Sequence, residues 1–228
     1  MEELWRAIVK ACELIVSLDA EVIDITARSL LISATSCIIA CAACFPLAGI
    51  IHFSSFPGKR LFISVVQTLY CLPTVLVGLF IFVLLSRSGP LGGLGLLFTP
   101  LAMVLGQVIF LCPIVLGLGI SALRAVDTAI YDVAMALGAN RFQATLQVMK
   151  ESRYALAMTA MMGFGRAISE VGLSLMVGGN IKGFTRTLTT AISLETSRGN
   201  LELAIALGII LLLLALMVNM IVGWLQQR

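Results

Sequence analysis

Long apolar runs separated by short polar segments dominate the hydropathy pattern of this chain. The runs cover about residues 29–51, 61–85, 96–123, 154–177 and 203–225. A helix crosses the hydrocarbon core of a bilayer with about 20 apolar residues, and each run reaches that length. The pattern therefore predicts an all-α membrane protein with about five transmembrane helices.

The first 20 residues follow a different pattern. Between residues 3 and 18, apolar side chains recur at helical spacing, while Arg6, Lys10 and Glu13 lie on the opposite side of the predicted helix. Such a helix is typical of a segment that lies in the membrane interface. The chain is thus divided into an N-terminal interfacial helix, 1–20, and a transmembrane domain, 21–228.

Prolines within the apolar runs predict irregular backbone. Pro73 in the second run, and Pro100 and Pro113 in the third, remove helical hydrogen bonds and predict kinks or local breaks. The glycine- and proline-rich segment 86–93 cannot remain helical, and it predicts a tight connection at one membrane face.

Composition supports the membrane prediction and narrows the function. Apolar residues make up 60% of the chain, charged residues 12%, and the net charge is only +3. No run of Lys or Arg could follow a phosphate backbone, so nucleic acid is not an expected partner. The six cysteines lie in apolar stretches and are interpreted as packing residues, although Cys37, Cys41 and Cys44 share one helix face, which leaves a metal or redox role open.

The polar stretch 124–153 carries a pattern of its own. A short amphipathic helix around Asp132 is predicted to end at Gly138, which permits a sharp reversal, and a second helix continues to about Glu151. Such a helix-turn-helix is shaped to be held by another protein. An amphipathic loop resting on lipid headgroups is the alternative on these residues alone.

This stretch resembles a known signature. Asp132-Val133-Ala134, followed by three residues and Gly138, resembles the Glu-Ala-Ala and glycine motif in the cytoplasmic loop of ABC importer permeases, although the family's later Ile-x-Leu-Pro is Val148-Met149-Lys150-Glu151 here. In that family the loop is a coupling helix held in a groove of the ATP-hydrolysing subunit. The coupling residues implied by the resemblance are Asp132, Val133, Ala134, Leu137, Gly138, Ala139 and Arg141.

Further stretches specify the resemblance. Residues 165–172 are similar to the corresponding span of molybdate and sulfate permeases, and residues 85–92 and 176–181 are similar to tungstate-type permeases. The resemblance implies the type I ABC importer permease fold. It also implies ATP-driven import of an oxyanion, with tungstate first and molybdate or sulfate as alternatives, across the bacterial plasma membrane by alternating access.

The resemblance also implies the partners. They are an ABC ATPase subunit carrying ATP and Mg²⁺, an extracytoplasmic oxyanion-binding protein, a second permease copy forming a homodimer, and membrane lipids. The chain itself has no GxxxxGK[ST] motif and no nucleophile with a nearby base, so it is not expected to be an enzyme or to hold a cofactor. Because basic residues divide equally between the two predicted sides, orientation comes from the resemblance: N-terminus outside, C-terminus cytoplasmic.

Two pairs of charged residues are candidate sites. Arg166 and Glu170 lie four residues apart, on one predicted helix face of the fourth apolar run. Isolated charges are unfavourable there, so they are predicted to pair or to face water. They line the anion pathway or its gate, or they form a structural pair. Lys182 and Arg186, in a threonine-rich outer segment, are candidate anion contacts, with a solvated loop touching the binding protein as the favoured interpretation.

Two other classes of protein remain as rivals. A secondary transporter would run on an ion gradient, but such proteins often have internal repeats, and none is visible here. A membrane anchor of a redox enzyme would need paired histidines for haem, and the chain has one histidine, His52.

Overall fold

The computed structural model describes residues 2–17 and 19–226, and within these ranges the chain is helical with no β-strand. The helices are α1 (Glu2–Val16), α2 (Ala20–Phe53), α3 (Lys59–Thr68), α4 (Thr74–Leu85), α5 (Pro100–Arg124), α6 (Thr128–Ala136), α7 (Arg141–Glu151), α8 (Arg153–Ile168), α9 (Gly172–Gly178), α10 (Leu188–Ser197) and α11 (Leu201–Gln226). Two short 3₁₀ helices, Leu69–Cys71 and Gly92–Leu94, complete the described elements.

The core of the molecule is the contact between α2 and α5. Small residues let the two backbones approach, since a Cβ on Gly119 of α5 would lie 3.3 Å from the Cβ of Ala48 on α2. Leu111 and Val115 of α5 are fully buried in the same cluster. Such contacts drive helix association inside a bilayer, where lipid is as apolar as the side chains. Helices α8 and α9 pack against this pair.

Three helices, α2, α5 and α11, are long and apolar enough to cross a membrane. The pair α3 and α4 and the pair α8 and α9 each give one further span when the two helices are counted together. The total of five spans agrees with the number predicted from the apolar runs. The second and fourth apolar runs are nevertheless not straight helices. The first pair bends by 94° and the second by 60°.

The prolines account for part of this irregularity. Pro73 has extended backbone (φ −61°, ψ 123°) and separates α3 from α4, so the predicted break is confirmed. Pro100 causes no kink and instead opens α5, because its missing N–H is harmless at the first helical position. The hydroxyl of Thr99 caps this start by accepting a hydrogen bond from the Ala102 N–H, 3.2 Å away.

The start of the first membrane-spanning helix also differs from the one predicted by the hydropathy pattern. Helix α2 begins at Ala20, well before the first apolar run, because Asp19 caps it by accepting hydrogen bonds from the backbone N–H groups of Glu21 and Val22. With 34 residues it is about 50 Å long at 1.5 Å per residue, so its first turns extend past the hydrocarbon core. Helix α1 lies beside α11. Its predicted place in the membrane interface stays a prediction.

Candidate functional site

Helices α6 and α7 form the helical hairpin that the sequence predicted. Gly138 sits between them with φ of 90°, a conformation that glycine adopts without strain. The Ala139 N–H donates to the Ala134 carbonyl, and the Gly138 N–H donates to the Met135 carbonyl, each at 3.0 Å. These two bonds form a Schellman motif, so the predicted glycine-terminated helix is confirmed.

The start of α7 is equally well defined. The Asn140 side chain accepts a hydrogen bond from the Gln143 N–H, and the Gln143 side chain accepts one from the Asn140 N–H, both at 2.9 Å. This reciprocal capping box satisfies backbone donors that a helix start leaves free. The turn is thus closed by hydrogen bonds on both sides, which makes the hairpin a rigid corner.

The hairpin exposes large apolar side chains. Leu137 is 83% exposed, Phe142 74% and Val133 56%. Val133 and Leu137 line a groove of about 700 Å³ between the helices, together with Ala134 and Ala139. Helices of nine and eleven residues are too short to cross a bilayer, so these side chains lie outside the spans. A contiguous apolar surface of this kind marks a protein-interaction site.

The remaining predicted coupling residues flank this surface. Asp132 and Arg141 are both exposed, and neither forms an ion pair within the described ranges. The structure therefore brings the seven sequence-predicted residues together on one hairpin. Their binding to an ATPase stays a prediction.

The hairpin is fixed to the end of α2. The rings of Phe53 and Tyr131 stack with centroids 4.2 Å apart, which joins α2 to α6. A Cβ on Gly49 would lie 2.8 Å from the Thr145 side chain, which shows how closely α7 approaches α2. Ala144 and Val148 of α7 are buried, and Val148 belongs to the core cluster that includes Ala48 of α2. A force applied to the hairpin would therefore reach α2 directly.

The second candidate region is the elbow between α8 and α9, defined here as residues 167–174. Glu170 is 5% exposed, and its Oε1 accepts a hydrogen bond from the Leu173 N–H at 2.9 Å. The hydroxyl of Thr189 donates to the backbone carbonyl of Glu170 at 2.8 Å. Glu170 therefore acts as a cap that starts α9 inside the protein.

The prediction that Arg166 and Glu170 share one helix face and pair, or both face water, is wrong. Helix α8 ends at Ile168, so the two side chains do not follow one helical surface, and they form no ion pair. Glu170 is buried on backbone donors, whereas Arg166 is exposed and its guanidinium lies 5.1 Å from the centroid of the Phe110 ring. Their part in a pathway or gate stays a prediction.

The elbow packs against the first broken pair. A Cβ on Gly172 would lie 2.5 Å from Val75 Cγ2, and one on Gly78 would lie 2.9 Å from the Leu173 Cα. Glycines at both positions thus allow α4 and α9 to touch next to their breaks. Paired discontinuous helices are the arrangement in which membrane transporters place substrate sites.

Two buried polar side chains near the elbow escaped the sequence analysis. Gln107 of α5 donates through Nε2 to the Ala167 carbonyl at 3.3 Å, and its Oε1 has no partner. Ser174 Oγ is buried without a partner as well. Gln107 carries a visible signal, since it is an isolated amide within a long apolar run, and such residues mark functional or packing sites in membranes.

The outer segment, residues 178–200, is only partly exposed: residues 185–191 are buried, whereas residues 181–184 and 196–200 are exposed. Thr185 and Thr190 are fully buried, and Thr190 donates to the Asn180 side chain at 2.9 Å. Lys182 is exposed and pairs with Glu21 at 2.7 Å, while Arg186 is buried and lies 3.5 Å from the same carboxylate. The predicted solvation is wrong for these threonines, because they are buried and their hydroxyls bond to the protein. Contact of the segment with a binding protein stays a prediction.

Apolar helices, two broken pairs and an exposed helical hairpin define a polytopic component of a membrane transport system. The chain belongs to the family of binding-protein-dependent transport system inner membrane components, whose family model matches residues 45–228. It is a permease subunit of the ABC importer type, and the predicted resemblance is confirmed.

Two relatives give the resemblance its detail. The chain is 39% identical over 228 residues, covering 100% of both chains, to the tungstate uptake system permease protein TupB of Peptoclostridium acidaminophilum. It is 44% identical over 202 residues to a probable anion ABC transporter permease protein of Haloferax volcanii, covering 86% of this chain and 87% of the relative.

The fold has been seen in a solved structure. A chain of a bacterial alginate ABC transporter, crystallised in complex with its alginate pentasaccharide-bound periplasmic protein, matches 94% of this chain and 82% of its own length. The TM-score is 0.70 at 19% sequence identity, so the likeness concerns the fold. The predicted type I permease fold is confirmed.

Proposed function

We propose that this chain is the permease of an ATP-driven importer that carries tungstate across the bacterial plasma membrane. The support is the full-length similarity to a tungstate uptake permease, together with the similarity to an anion permease. Molybdate and sulfate have the same tetrahedral shape and charge and are the alternative substrates.

The observation that carries the coupling mechanism is the rigid, exposed hairpin α6–α7. An ABC ATPase subunit, which binds ATP and Mg²⁺, docks on Val133, Ala134 and Leu137 and on the exposed charges of Asp132 and Arg141. Movement of that subunit passes through the Phe53–Tyr131 stack into α2. This chain hydrolyses no ATP and holds no cofactor of its own.

The proposed docking of the ATPase implies a topology. The hairpin faces the cytoplasm, which places the N-terminus outside and the C-terminus in the cytoplasm. Two copies of the chain form a homodimer around a central path, and an extracytoplasmic binding protein delivers the anion to the opposite face. Alternating access then requires the two permease copies to exchange an outward-open for an inward-open arrangement.

The path runs beside the elbow. Arg166, exposed with its charge unpaired in the described part of the chain, attracts the anion, and Glu170 holds the elbow in place. At the outer face, Lys182 is placed to meet the anion or the binding protein. Arg186 contributes mainly by its long-range charge, because its side chain is only 8% exposed.

The experiment that tests this function is ATP-dependent tungstate uptake into vesicles containing the permease, an ABC ATPase subunit and the binding protein. Gly138→Pro removes the backbone conformation of the turn, and Ala134→Asp places a carboxylate in the groove. Both variants are expected to lose uptake and ATPase association together, whereas Gly93→Ala, at an open turn before α5, is expected to retain both.

Two outcomes would contradict the proposal. Uptake that continues without ATP would favour an ion-gradient transporter. Uptake that is unchanged in both hairpin variants would remove the coupling role from α6–α7. Competition by molybdate or sulfate, measured in the same vesicles, would rank the alternative substrates.

A further inference from the structure

A cationic cavity of about 480 Å³ lies where the end of α2, the start of α3 and the end of α5 meet. Three basic side chains, Lys59, Arg60 and Arg124, contribute to its wall, together with Ser54 and Ser55. The cavity belongs neither to the hairpin surface nor to the elbow.

The positive charges of this cavity are not neutralised by the protein. None of the three basic residues forms an ion pair with a carboxylate in the described part of the chain. Lys59 Nζ donates to the backbone carbonyls of His52 and Ser54, at 2.6 and 2.9 Å, which fixes the ammonium at the end of α2. Three cations held around one cavity favour the binding of an anion.

The surface next to the cavity is apolar. Helix α3 buries Ile63 and Val66 and exposes Leu61 (70%), Val65 (49%) and Phe62 (40%). Its sequence thus passes from two basic residues to an exposed apolar face within one turn. A soluble anion would make no favourable contact with such a face. A phospholipid carries a charged headgroup and apolar acyl chains in one molecule, so it can contact the cavity and the apolar face together.

The cavity also lies at the correct depth for a headgroup. Ser54 follows the last residue of α2, and Arg124 is the last residue of α5, so both mark the ends of membrane-spanning helices. Ser54 also lines a second cavity together with Phe142 of the hairpin. The cationic cavity is therefore on the same side of the membrane as α6–α7.

We propose that this cavity binds the phosphate headgroup of an anionic phospholipid, whose acyl chains lie along the exposed face of α3. Arg60 and Arg124 contact the headgroup phosphate, and Lys59 adds charge from its fixed position. The assignment to the cytoplasmic leaflet rests on the proposed function, but the lipid site itself does not. Because α2 also contacts the hairpin, a lipid bound here lies next to the helix that receives the coupling movement.

Native mass spectrometry of the purified full-length chain, released from detergent with added lipid, tests this site without requiring transport. The probes are phosphatidylglycerol and phosphatidylcholine with identical acyl chains. The native chain is expected to retain phosphatidylglycerol in preference to phosphatidylcholine. Each arginine removed, in Arg60→Gln and Arg124→Gln, is expected to weaken phosphatidylglycerol binding by about fivefold. Arg87→Gln, an exposed arginine at the opposite membrane face, is the matched control and is expected to bind as the native chain does.

Two further measurements separate charge from folding and lipid from soluble anion. The double variant Arg60→Lys with Arg124→Lys keeps both charges and is expected to bind within about threefold of the native chain. An equal loss in the lysine and glutamine variants would overturn the proposal, since packing would then explain it. Displacement of phosphatidylglycerol by millimolar inorganic phosphate or tungstate would also overturn it, because the cavity would then be a site for free anions. Failure of tungstate transport would leave these lipid measurements unaffected.

Discussion

The hairpin α6–α7 and the elbow α8–α9 both change the direction of the chain next to a glycine, but different forces hold them. At the hairpin, every stabilising hydrogen bond joins residues within five positions of each other, such as Ala139 to Ala134. At the elbow, distant residues such as Gln107 and Thr189 add hydrogen bonds to the local cap that Glu170 provides.

The two regions also differ in what surrounds them. The hairpin presents Leu137 and Phe142 to solvent, whereas Glu170 and Ser174 of the elbow are buried. A locally stabilised, exposed corner can be altered without unfolding the protein, so changes there should affect binding to a partner. A buried elbow held from several sides should lose stability first when it is altered.

The largest loss of stability is expected at the contact between α4 and α9, where the two broken helix pairs touch. Gly172→Val would place side-chain atoms within 2.5 Å of Val75, so the elbow should lose about 3 kcal/mol of stability. Thermal unfolding in detergent would measure the fall in Tm. Gly165→Val, at a glycine with open space around it, is the control and should leave Tm near the native value. Equal shifts in both variants would show that the contact between α4 and α9 is unimportant.

Removal of the buried cap should have the next largest effect. Glu170→Ala leaves the buried Leu173 N–H without an acceptor and should lower the free energy of unfolding by about 2 kcal/mol. Glu170→Gln keeps an acceptor oxygen and should lose less than half as much. If Glu170→Gln lowered the free energy of unfolding as much as Glu170→Ala, the charge of Glu170, and not its hydrogen bond to the Leu173 N–H, would stabilise the elbow.

Loss of the exposed ion pair between Lys182 and Glu21 should destabilise the protein less than Gly172→Val or Glu170→Ala. Lys182→Gln breaks the contact with Glu21, but Lys182 is 67% exposed, so the loss should stay below about 1 kcal/mol. Repeating the unfolding measurement of the native chain and the variant in 1 M salt should shrink the difference further. A loss of several kcal/mol would mean that this pair holds the outer segment in place.

The smallest change in stability is expected at the hairpin, together with a large change in binding. Leu137→Asp replaces a side chain that is 83% exposed and should alter unfolding by less than about 0.5 kcal/mol. Co-purification with the ABC ATPase subunit should nevertheless fall at least about tenfold, because a charge enters an apolar contact. Ser88→Asp, exposed at the opposite membrane face, should leave co-purification unchanged. If Leu137→Asp still co-purified with the ABC ATPase subunit, the exposed apolar surface of the hairpin would not be the binding site for that subunit.

The sequence predicted the hairpin well because its signals are local. Gly138 ends α6, and the Asn140–Gln143 capping box begins α7, within a few residues of each other. The break at Pro73 was predictable for the same reason, since proline acts on its own turn of helix. Pro100 was misjudged, because the same residue breaks a helix in its interior and favours one at its start.

The elbow could not be predicted from its own residues. Nothing between Arg166 and Gly172 is a proline, and the segment is compatible with a continuous helix that would align Arg166 with Glu170. Residues from distant positions hold the bend instead, because Gln107 and Thr189 donate hydrogen bonds to the backbone carbonyls of Ala167 and Glu170. The buried threonines of the outer segment follow the same rule, since their partners are brought together by folding.

The sequence by itself determined the membrane class, the number of apolar runs and the helical hairpin, because hydropathy and capping depend on neighbouring residues. Its motifs also carried the resemblance to the permease family. Only the tertiary structure decided that Glu170 caps a helix rather than pairing with Arg166. It also decided that Arg186 is buried and that Lys59, Arg60 and Arg124 surround one cavity. The physical reason is that the burial of a charged or polar side chain depends on residues from distant parts of the chain that fold around it, and neighbouring residues do not specify this.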